Sequence, residues 1–178
     1  MEVGLLRTLS RIFVLATTVG VATLVAAAAP ASAAPAGEIY QIENAVSGRC
    51  IVVQNKPGAT AFTYSCSGDP NDQNWWFAYV GNDSRGNEMW SLQNSESGLC
   101  LVVQGLNPGT VAFATPCDTR YIDQLWVLDG NGIETENSIQ NGSSNGYLVS
   151  QNKGDGSPVF QFNNTFADSQ WQLVATGS

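Results

Sequence analysis

The sequence predicts an all-β fold of three similar units that share one core, and two repeated motifs predict it. The first motif ends in tryptophan: Asp72-Gln73-Asn74-Trp75 returns as Asp123-Gln124-Leu125-Trp126 and, with one change, as Asp168-Ser169-Gln170-Trp171. The tryptophans recur at intervals of about 50 and about 45 residues, which is the spacing of repeated supersecondary units. Because each unit is too short to enclose a core alone, we expect the three indoles to meet in a common one.

The second motif is a pair of cysteines, present in the first two units and absent from the third. The spacings match between units, which favours one disulfide bridge per unit over crossed connectivities. The predicted bridges are Cys50–Cys66 and Cys100–Cys117. Each closes a loop of about fifteen residues, worth roughly 3 kcal/mol by loop entropy. In the third unit Tyr147 and Asn164 occupy the cysteine positions, so packing alone must hold that unit.

Each unit contains four short segments that are β-branched or aromatic and bounded by turn residues, as strands are. The segments are 39–42, 50–53, 61–64 and 75–79, then 89–92, 100–103, 111–114 and 125–128, then 138–140, 147–149, 159–162 and 171–174. We call the units repeat one (about 38–80), repeat two (about 88–129) and repeat three (about 133–176). A single sandwich would not explain the repetition, and a propeller needs more blades, so the pattern favours a pseudo-threefold barrel with a hairpin cap.

The amino terminus has the pattern of a secretory signal peptide. Arg7 and Arg11 precede an apolar run over residues 12–29, and Ala31-Ser32-Ala33 follows as a small-residue cleavage signature. The run approaches the length of a membrane span, but its alanine content and the Ala-x-Ala pattern predict cleavage instead. We therefore expect residues 1–34 to be removed, residues 35–178 to form a single domain, and the protein to be secreted into an environment that permits disulfides.

Composition excludes several classes of function. The chain has a net charge of −8, no histidine and 12% charged residues. This acidity argues against nucleic acid or an anionic membrane surface as partner, because both bind to basic surface patches. No metal site or cofactor is predicted, since there is neither histidine nor a Cys-x-x-Cys pair. The sequence has no nucleophile motif and no phosphate-binding loop. Glu134 and Glu136 are interpreted as an exposed acidic face and not as a catalytic pair, so the sequence predicts a protein that is not an enzyme.

The repeated motifs resemble those of the ricin-type β-trefoil lectins. Each of the first two repeats carries Gly-x-Cys-(Ile/Leu)-x-Val, a second cysteine and a closing Gln-x-Trp, as in Gln73-Asn74-Trp75 and Gln124-Leu125-Trp126. The third copy, Ser169-Gln170-Trp171, departs at the glutamine. The resemblance covers about residues 38–174 and implies a β-trefoil, an all-β fold of three phased four-strand repeats. We assign the three tryptophans to the structural core together with Gln73 and Gln124.

The family's sugar acceptor is missing from all three repeats. In the family an aspartate two residues after the first cysteine accepts hydrogen bonds from sugar hydroxyls, and the equivalent positions are Val52, Val102 and Val149. A sugar hydroxyl left without that bond costs of order 1–3 kcal/mol. Two substitutes are open: the glutamines that continue the same strand face, or the aspartates before the closing motif. The competing roles are bonds to loop backbone for the glutamines and turn capping for the aspartates.

The family's stacking ring is kept in two repeats. It lies two residues before the second cysteine, where this sequence has Tyr64, Thr115 and Phe162. The resemblance therefore implies candidate sugar sites in repeats one and three and none in repeat two. The candidate residues are Tyr64, Asp72 and Gln54 in repeat one, and Phe162, Asp168 and Gln151 in repeat three. Repeat one ranks first because its disulfide lowers the ordering entropy lost on binding.

The resemblance implies a secreted, non-catalytic, carbohydrate-binding protein that recognises a neutral glycan or polysaccharide at shallow repeat sites. The alternative is a β-trefoil that has lost sugar binding and acts through a protein partner, for instance as an inhibitor of secreted hydrolases. Replacement of the family's acceptor aspartate by valine favours the alternative, whereas the retained rings and carboxylates favour the lectin-like function.

Overall fold

A computed structural model describes residues 39–67, 71–129, 136–151 and 154–176. Over these residues the chain forms thirteen strands and three short 3-10 helices. The strands are β1 Ile39–Asn44, β2 Arg49–Val52, β3 Phe62–Ser65, β4 Asn74–Asn82, β5 Glu88–Asn94, β6 Leu99–Val102, β7 Phe113–Pro116, β8 Leu125–Asp129, β9 Glu136–Asn141, β10 Tyr147–Val149, β11 Ser157–Pro158, β12 Phe160–Phe162 and β13 Gln170–Ala175. The 3-10 helices are Asn71–Gln73, Ile122–Gln124 and Ala167–Ser169.

The twelve predicted strands are all present, and the two-residue β11 is additional. None of the helices in the described ranges is long and apolar enough to cross a bilayer. The predicted signal peptide, residues 1–34, and Glu134 lie outside the described residues.

Six strands close into a barrel, two from each repeat. The antiparallel pairs run β1–β4, β4–β5, β5–β8, β8–β9, β9–β13 and β13–β1, which returns to the start. Closure leaves no unpaired sheet edge among these strands. The chain therefore forms the predicted pseudo-threefold barrel, in which neighbouring repeats are joined by backbone pairing.

The hairpins β2–β3, β6–β7 and β10–β12 form the cap and meet at the pseudo-threefold axis. There the backbone N–H of Ala61 donates to the Ala112 carbonyl, Ala112 to Val159, and Val159 to Ala61, at 2.8, 2.9 and 3.0 Å. All three side chains are fully buried. Their small size lets three backbones approach one another closely enough for this ring of bonds. Barrel and cap together are the β-trefoil that the repeats predicted.

The three tryptophans are the largest fully buried side chains, which confirms their assignment to the core. Trp75, Trp126 and Trp171 lie near the start of β4, β8 and β13. Each indole Nε1–H donates to a carbonyl on the first cap strand of its own repeat. The acceptors are Ile51, Leu101 and Leu148, at 3.2, 3.0 and 2.9 Å. Each tryptophan thus ties a barrel strand to the hairpin above it.

The glutamine of the closing motif forms hydrogen bonds with the backbone, as expected of a structural residue. Gln73 is buried; its Oε1 accepts from the Ser67 N–H at 3.1 Å and its Nε2 donates to the Ser65 carbonyl at 3.0 Å. Gln124 makes the equivalent two bonds in repeat two, at 2.9 and 3.3 Å. In repeat three the buried Ser169 hydroxyl reaches only the Phe166 backbone, at 3.0 and 2.8 Å. The glutamines therefore fix the end of the cap hairpin in repeats one and two.

A buried asparagine after the first barrel strand of each repeat fixes the backbone of a neighbouring repeat. Asn44, Asn94 and Asn141 each accept bonds from their own turn through Oδ1. Their Nδ2 groups donate to the carbonyl oxygens of Asp168, Asp72 and Asp123, at 2.9, 2.9 and 2.8 Å. The position of each closing-motif aspartate is therefore set from outside its own repeat.

Both predicted disulfides are present, Cys50–Cys66 and Cys100–Cys117. The strand register also confirms the predicted equivalences between repeats. Cys50 lies opposite Tyr64, Cys100 opposite Thr115 and Tyr147 opposite Phe162. The candidate ring positions are therefore structurally equivalent in the three repeats.

Candidate functional site

The structure brings two predicted residues of repeat one, Tyr64 and Asp72, into one surface depression of about 270 Å³. The side chains of Val52 and Phe62 contribute an apolar lining, and Ser67 and Gln73 complete it. Tyr64 is 49% exposed, whereas Val52 is buried. An exposed ring next to an apolar surface can stack on the apolar face of a small ligand.

The Asp72 carboxylate supplies the polar group of this depression. Its Oδ1 is buried and has no hydrogen-bond partner among the described residues. Burial, with a smaller contribution from the negative charge of Glu96, raises the pKa of Asp72 above its ordinary value, although the residue's own backbone N–H partly opposes the shift. A buried acceptor without a partner costs free energy, and the carboxylate to which it belongs is the acidic group of the depression.

We expect Asp72→Asn to stabilise the protein at neutral pH by less than about 1 kcal/mol, since a neutral amide loses less on burial and the site is open to solvent. The raised pKa means that the folded chain holds the proton more tightly than the unfolded chain does. The wild-type carboxyl is therefore well tolerated below pH 3.8 and becomes destabilising as the pH rises through the folded-state pKa.

Urea denaturation of both proteins between pH 3 and pH 7 measures this difference. The advantage of Asp72→Asn should grow with pH. Asp123→Asn is the matched variant, because burial raises the pKa of Asp123 too, and it should behave in the same way. A variant that is less stable than wild type at pH 7 would show that the Asp72 carboxylate is already satisfied.

Repeat two keeps the carboxylate and lacks the ring. Asp123 has a buried Oδ1 without a partner among the described residues, as Asp72 does. Thr115, however, stands where Tyr64 stands in repeat one. An exposed aromatic, Tyr121, lies just before the 3-10 helix of this repeat, a position that sequence reasoning passed over. Whether repeat two is silent stays a prediction.

Repeat three keeps an aromatic ring at this position, but that ring packs against a second one. The Phe162 and Phe166 rings are 5.5 Å apart, centroid to centroid, at 52°. Phe162 is half-buried and Phe166 is exposed. Phe166 was not among the predicted residues, although it precedes the closing motif at the position of Tyr121. Among the described residues, repeat one thus combines an exposed ring at the family's stacking position with a carboxylate oxygen that has no partner, and Phe162 with Asp168 stays a weaker candidate.

The expectation that the glutamines continue the strand face is wrong. Strands β2, β6 and β10 end at the valines, and Gln54, Gln104 and Gln151 follow as exposed loop residues. Gln54 lines a different depression of about 440 Å³, which shares only Phe62 with the Tyr64 depression. A strand that ends two residues before the glutamine cannot impose its alternation on that residue. Gln54 is therefore not positioned to replace the missing acceptor beside Tyr64.

A loop of repeat three holds the end of β3 next to Tyr64. The Asp155 carboxylate accepts from the Ser65 N–H at 2.8 Å and forms an ion pair with the Arg49 guanidinium. Strand β11 continues this contact by pairing with β3. Nothing in the local sequence signals a contact between residues about one hundred positions apart, so this support was not predicted. It fixes the strand that carries Tyr64.

In the described ranges, Glu43, Cys50 and Cys66 form a cluster of the residue types that bind metals. The two sulfurs are joined in a disulfide, so they cannot act as thiolate ligands. A lone carboxylate is not enough to hold an ion there.

Comparison with known proteins shows which proteins have a similar sequence or fold. A family model described as ricin-type beta-trefoil lectin domain-like matches residues 30–114, which include the candidate site of repeat one. A search among curated proteins found no significant match. Three similar solved structures illustrate the fold. A designed threefold-symmetric protein, ThreeFoil, has a TM-score of 0.68 at 24% identity, over 76% of this chain and 97% of that one.

The other two are natural proteins. An exo-β-1,3-galactanase from Clostridium thermocellum has a TM-score of 0.70 at 19% identity, over 79% of this chain but only 31% of the enzyme. A ricin B-like lectin from Macrolepiota procera, solved with lactose, has a TM-score of 0.62 at 19% identity, over 78% of this chain and 96% of the lectin. Residues 30–114 thus carry a ricin-type beta-trefoil lectin domain-like sequence, and the described chain folds as a β-trefoil.

Proposed function

We propose that the protein is a non-catalytic, carbohydrate-binding protein that takes a neutral glycan or polysaccharide at the Tyr64–Asp72 depression. The observation that carries this proposal is that the exposed Tyr64 ring and Asp72 line the same depression, over the buried Val52. The family match over residues 30–114 and the lactose-bound lectin among the similar structures support it.

The two groups perform complementary tasks in binding a pyranose. The apolar face of the sugar stacks on Tyr64, and one hydroxyl donates a hydrogen bond to the Asp72 carboxylate. Val52 does not replace the family's acceptor, because its buried alkyl side chain offers no oxygen. The Asp72 carboxylate takes that role from a different segment of the repeat. A hydroxyl that donates to it makes a charge-assisted hydrogen bond of the kind that is lost with the family's aspartate.

The size of the depression indicates a weak site for one ring. Its volume of about 270 Å³ lies just below the usual range for small-molecule sites, so little of a ligand would be enclosed. Weak single-ring sites become effective when one polymer offers many copies of the ring. We therefore favour a polysaccharide or a clustered surface glycan over a free monosaccharide.

Export from the cell is part of the proposal. Two disulfides between residues of the same hairpin persist in an oxidising compartment and are rare in a reducing one. The signal-like amino terminus supports the same location. A secreted protein with this site would meet the glycans of surfaces or of extracellular polymers.

Tyr64→Ala is expected to weaken glycan binding by about tenfold or more, because stacking is the largest retained interaction at the site. The purified chain and the variant would be compared on a glycan array and by titration with the saccharide that the array selects. Tyr121→Ala is the matched control, since it removes another exposed tyrosine, from repeat two, and should leave affinity unchanged.

Two outcomes would overturn the proposed function. Binding that is equally strong in wild type and Tyr64→Ala would place the sugar elsewhere. No binding to any glycan, together with specific capture of a secreted hydrolase, would favour the protein-partner alternative.

A further inference from the structure

A second depression, which we call the inter-repeat groove, lies between repeats two and three and has a volume of about 550 Å³. Arg85 and Glu88 come from the β4–β5 hairpin, and Trp90 from β5. Asp129 ends β8, Gln140 lies on β9 and Tyr147 begins β10. The groove is about twice as large as the Tyr64 depression and lies within the usual volume range of small-molecule sites. It shares no lining residue with that depression.

The missing third disulfide explains why an aromatic ring lines this groove. Tyr147 occupies the register position that Cys50 and Cys100 occupy in the other repeats. Both cysteines are fully buried, whereas Tyr147 is half-buried and lies against the groove. On the neighbouring strand Gln140 pairs with Tyr147, so an amide and a phenol ring are adjacent at this wall. Trp90, also half-buried, adds a second ring, and its edge contact with Tyr79, centroids 5.6 Å apart, fixes its orientation.

The opposite wall is held in place by its own hydrogen bonds. Asp83 accepts from the backbone N–H groups of Arg85 and Asn87 at 2.8 and 2.9 Å. Desolvation raises the pKa of Asp83. The backbone and side-chain hydrogen bonds from Asn87 and Arg85 outweigh it and lower that pKa to about 2. The Arg85 guanidinium then reaches across to the Asn145 Oδ1 at 3.3 Å, in the turn between β9 and β10. The two walls are therefore connected before any ligand arrives, which lowers the ordering cost of binding.

We propose that the inter-repeat groove is a second saccharide site, separate from the repeat sites, that takes one or two rings of a neutral oligosaccharide. Trp90 and Tyr147 offer apolar ring surface, Arg85 and Gln140 offer donors, and the Glu88 and Asp129 carboxylates offer acceptors. An anionic ligand would face the Glu88 and Asp129 carboxylates, whereas the charge of the Arg85 guanidinium is already paired with Asp83. Neutral hydroxyls, which both donate and accept, satisfy groups of either sign.

The test uses the full chain with Tyr64→Ala, so that repeat one does not contribute. The probes are lactose, xylohexaose and laminarihexaose, followed by NMR through the Trp90 indole N–H and the Gln140 side-chain amide. At least one probe should shift both signals. Tyr147→Ser should then weaken that binding by about tenfold, because it removes a stacking ring.

A matched pair of variants separates binding from folding. Gln140 Nε2 donates to the Asn145 carbonyl and Gln93 Nε2 to the Gly98 carbonyl, both at 2.9 Å, so their structural bonds are the same. Gln140→Ala should weaken binding and Gln93→Ala should not. If no probe shifts Trp90 and Gln140, or if both glutamine variants weaken binding equally, the groove is not a saccharide site. Either result leaves the Tyr64 site untouched, since that site is tested separately through the backbone amides of residues 62–67 and 72–73, none of which lines the groove.

Discussion

Trp75→Ala is expected to lower the free energy of unfolding by about 3–5 kcal/mol, the range for removing a large aromatic from a core. The indole is fully buried and shares its core with two other repeats, so no single repeat can collapse to fill the cavity. The substitution also leaves the Ile51 carbonyl without its 3.2 Å donor. Urea denaturation followed by circular dichroism measures the loss.

The adjacent tryptophan provides the control. Trp76 is only partly buried, so Trp76→Ala should cost no more than about 1.5 kcal/mol in lost transfer free energy. Equal losses for the two variants would mean that the phased tryptophans do not form the shared core.

Replacing both cysteines of one bridge is expected to cost roughly 3 kcal/mol, because each bridge closes a loop of similar length. The sequence separations are 16 for Cys50–Cys66 and 17 for Cys100–Cys117. The double variants Cys50→Ala/Cys66→Ala and Cys100→Ala/Cys117→Ala should therefore lose similar amounts of stability. Thermal or urea unfolding under non-reducing conditions measures both losses.

The two double variants should differ in function. Cys50 lies opposite Tyr64 in the β2–β3 ladder, so loss of the first bridge loosens the strand that presents the ring. Saccharide affinity should fall in that variant and stay unchanged when the Cys100–Cys117 bridge is removed. An equal fall in both would indicate a general effect of stability and would count against a site in repeat one.

The fold was predictable because the same positions recur in phase three times. The tryptophans marked the start of the last barrel strand of each repeat, and the cysteines marked the cap hairpins. Their spacing was enough to align Tyr64, Thr115 and Phe162, which the strand register confirms. Even the departure at Ser169 is local, since its hydroxyl bonds only the Phe166 backbone.

The candidate site was less predictable because it depends on where strands end and on contacts that are distant in sequence. Gln54 lies two residues beyond the end of β2 and lines another depression, which could not be predicted from alternation along a strand. The Phe162 ring is engaged by Phe166, which no motif marks. The inter-repeat groove depends on Arg85 reaching Asn145, sixty positions away, and no local pattern encodes that contact.

The central claim is that repeat one binds sugar through Tyr64 and Asp72, and a residue-resolved NMR titration tests it most directly. The saccharide selected on the array would be added to the ¹⁵N-labelled chain while the backbone amides are followed. We predict shifts concentrated at residues 62–67 and 72–73 that disappear in Tyr64→Ala. Shifts concentrated around Thr115 and Asp123, with Tyr64 and Asp72 unmoved, would contradict it.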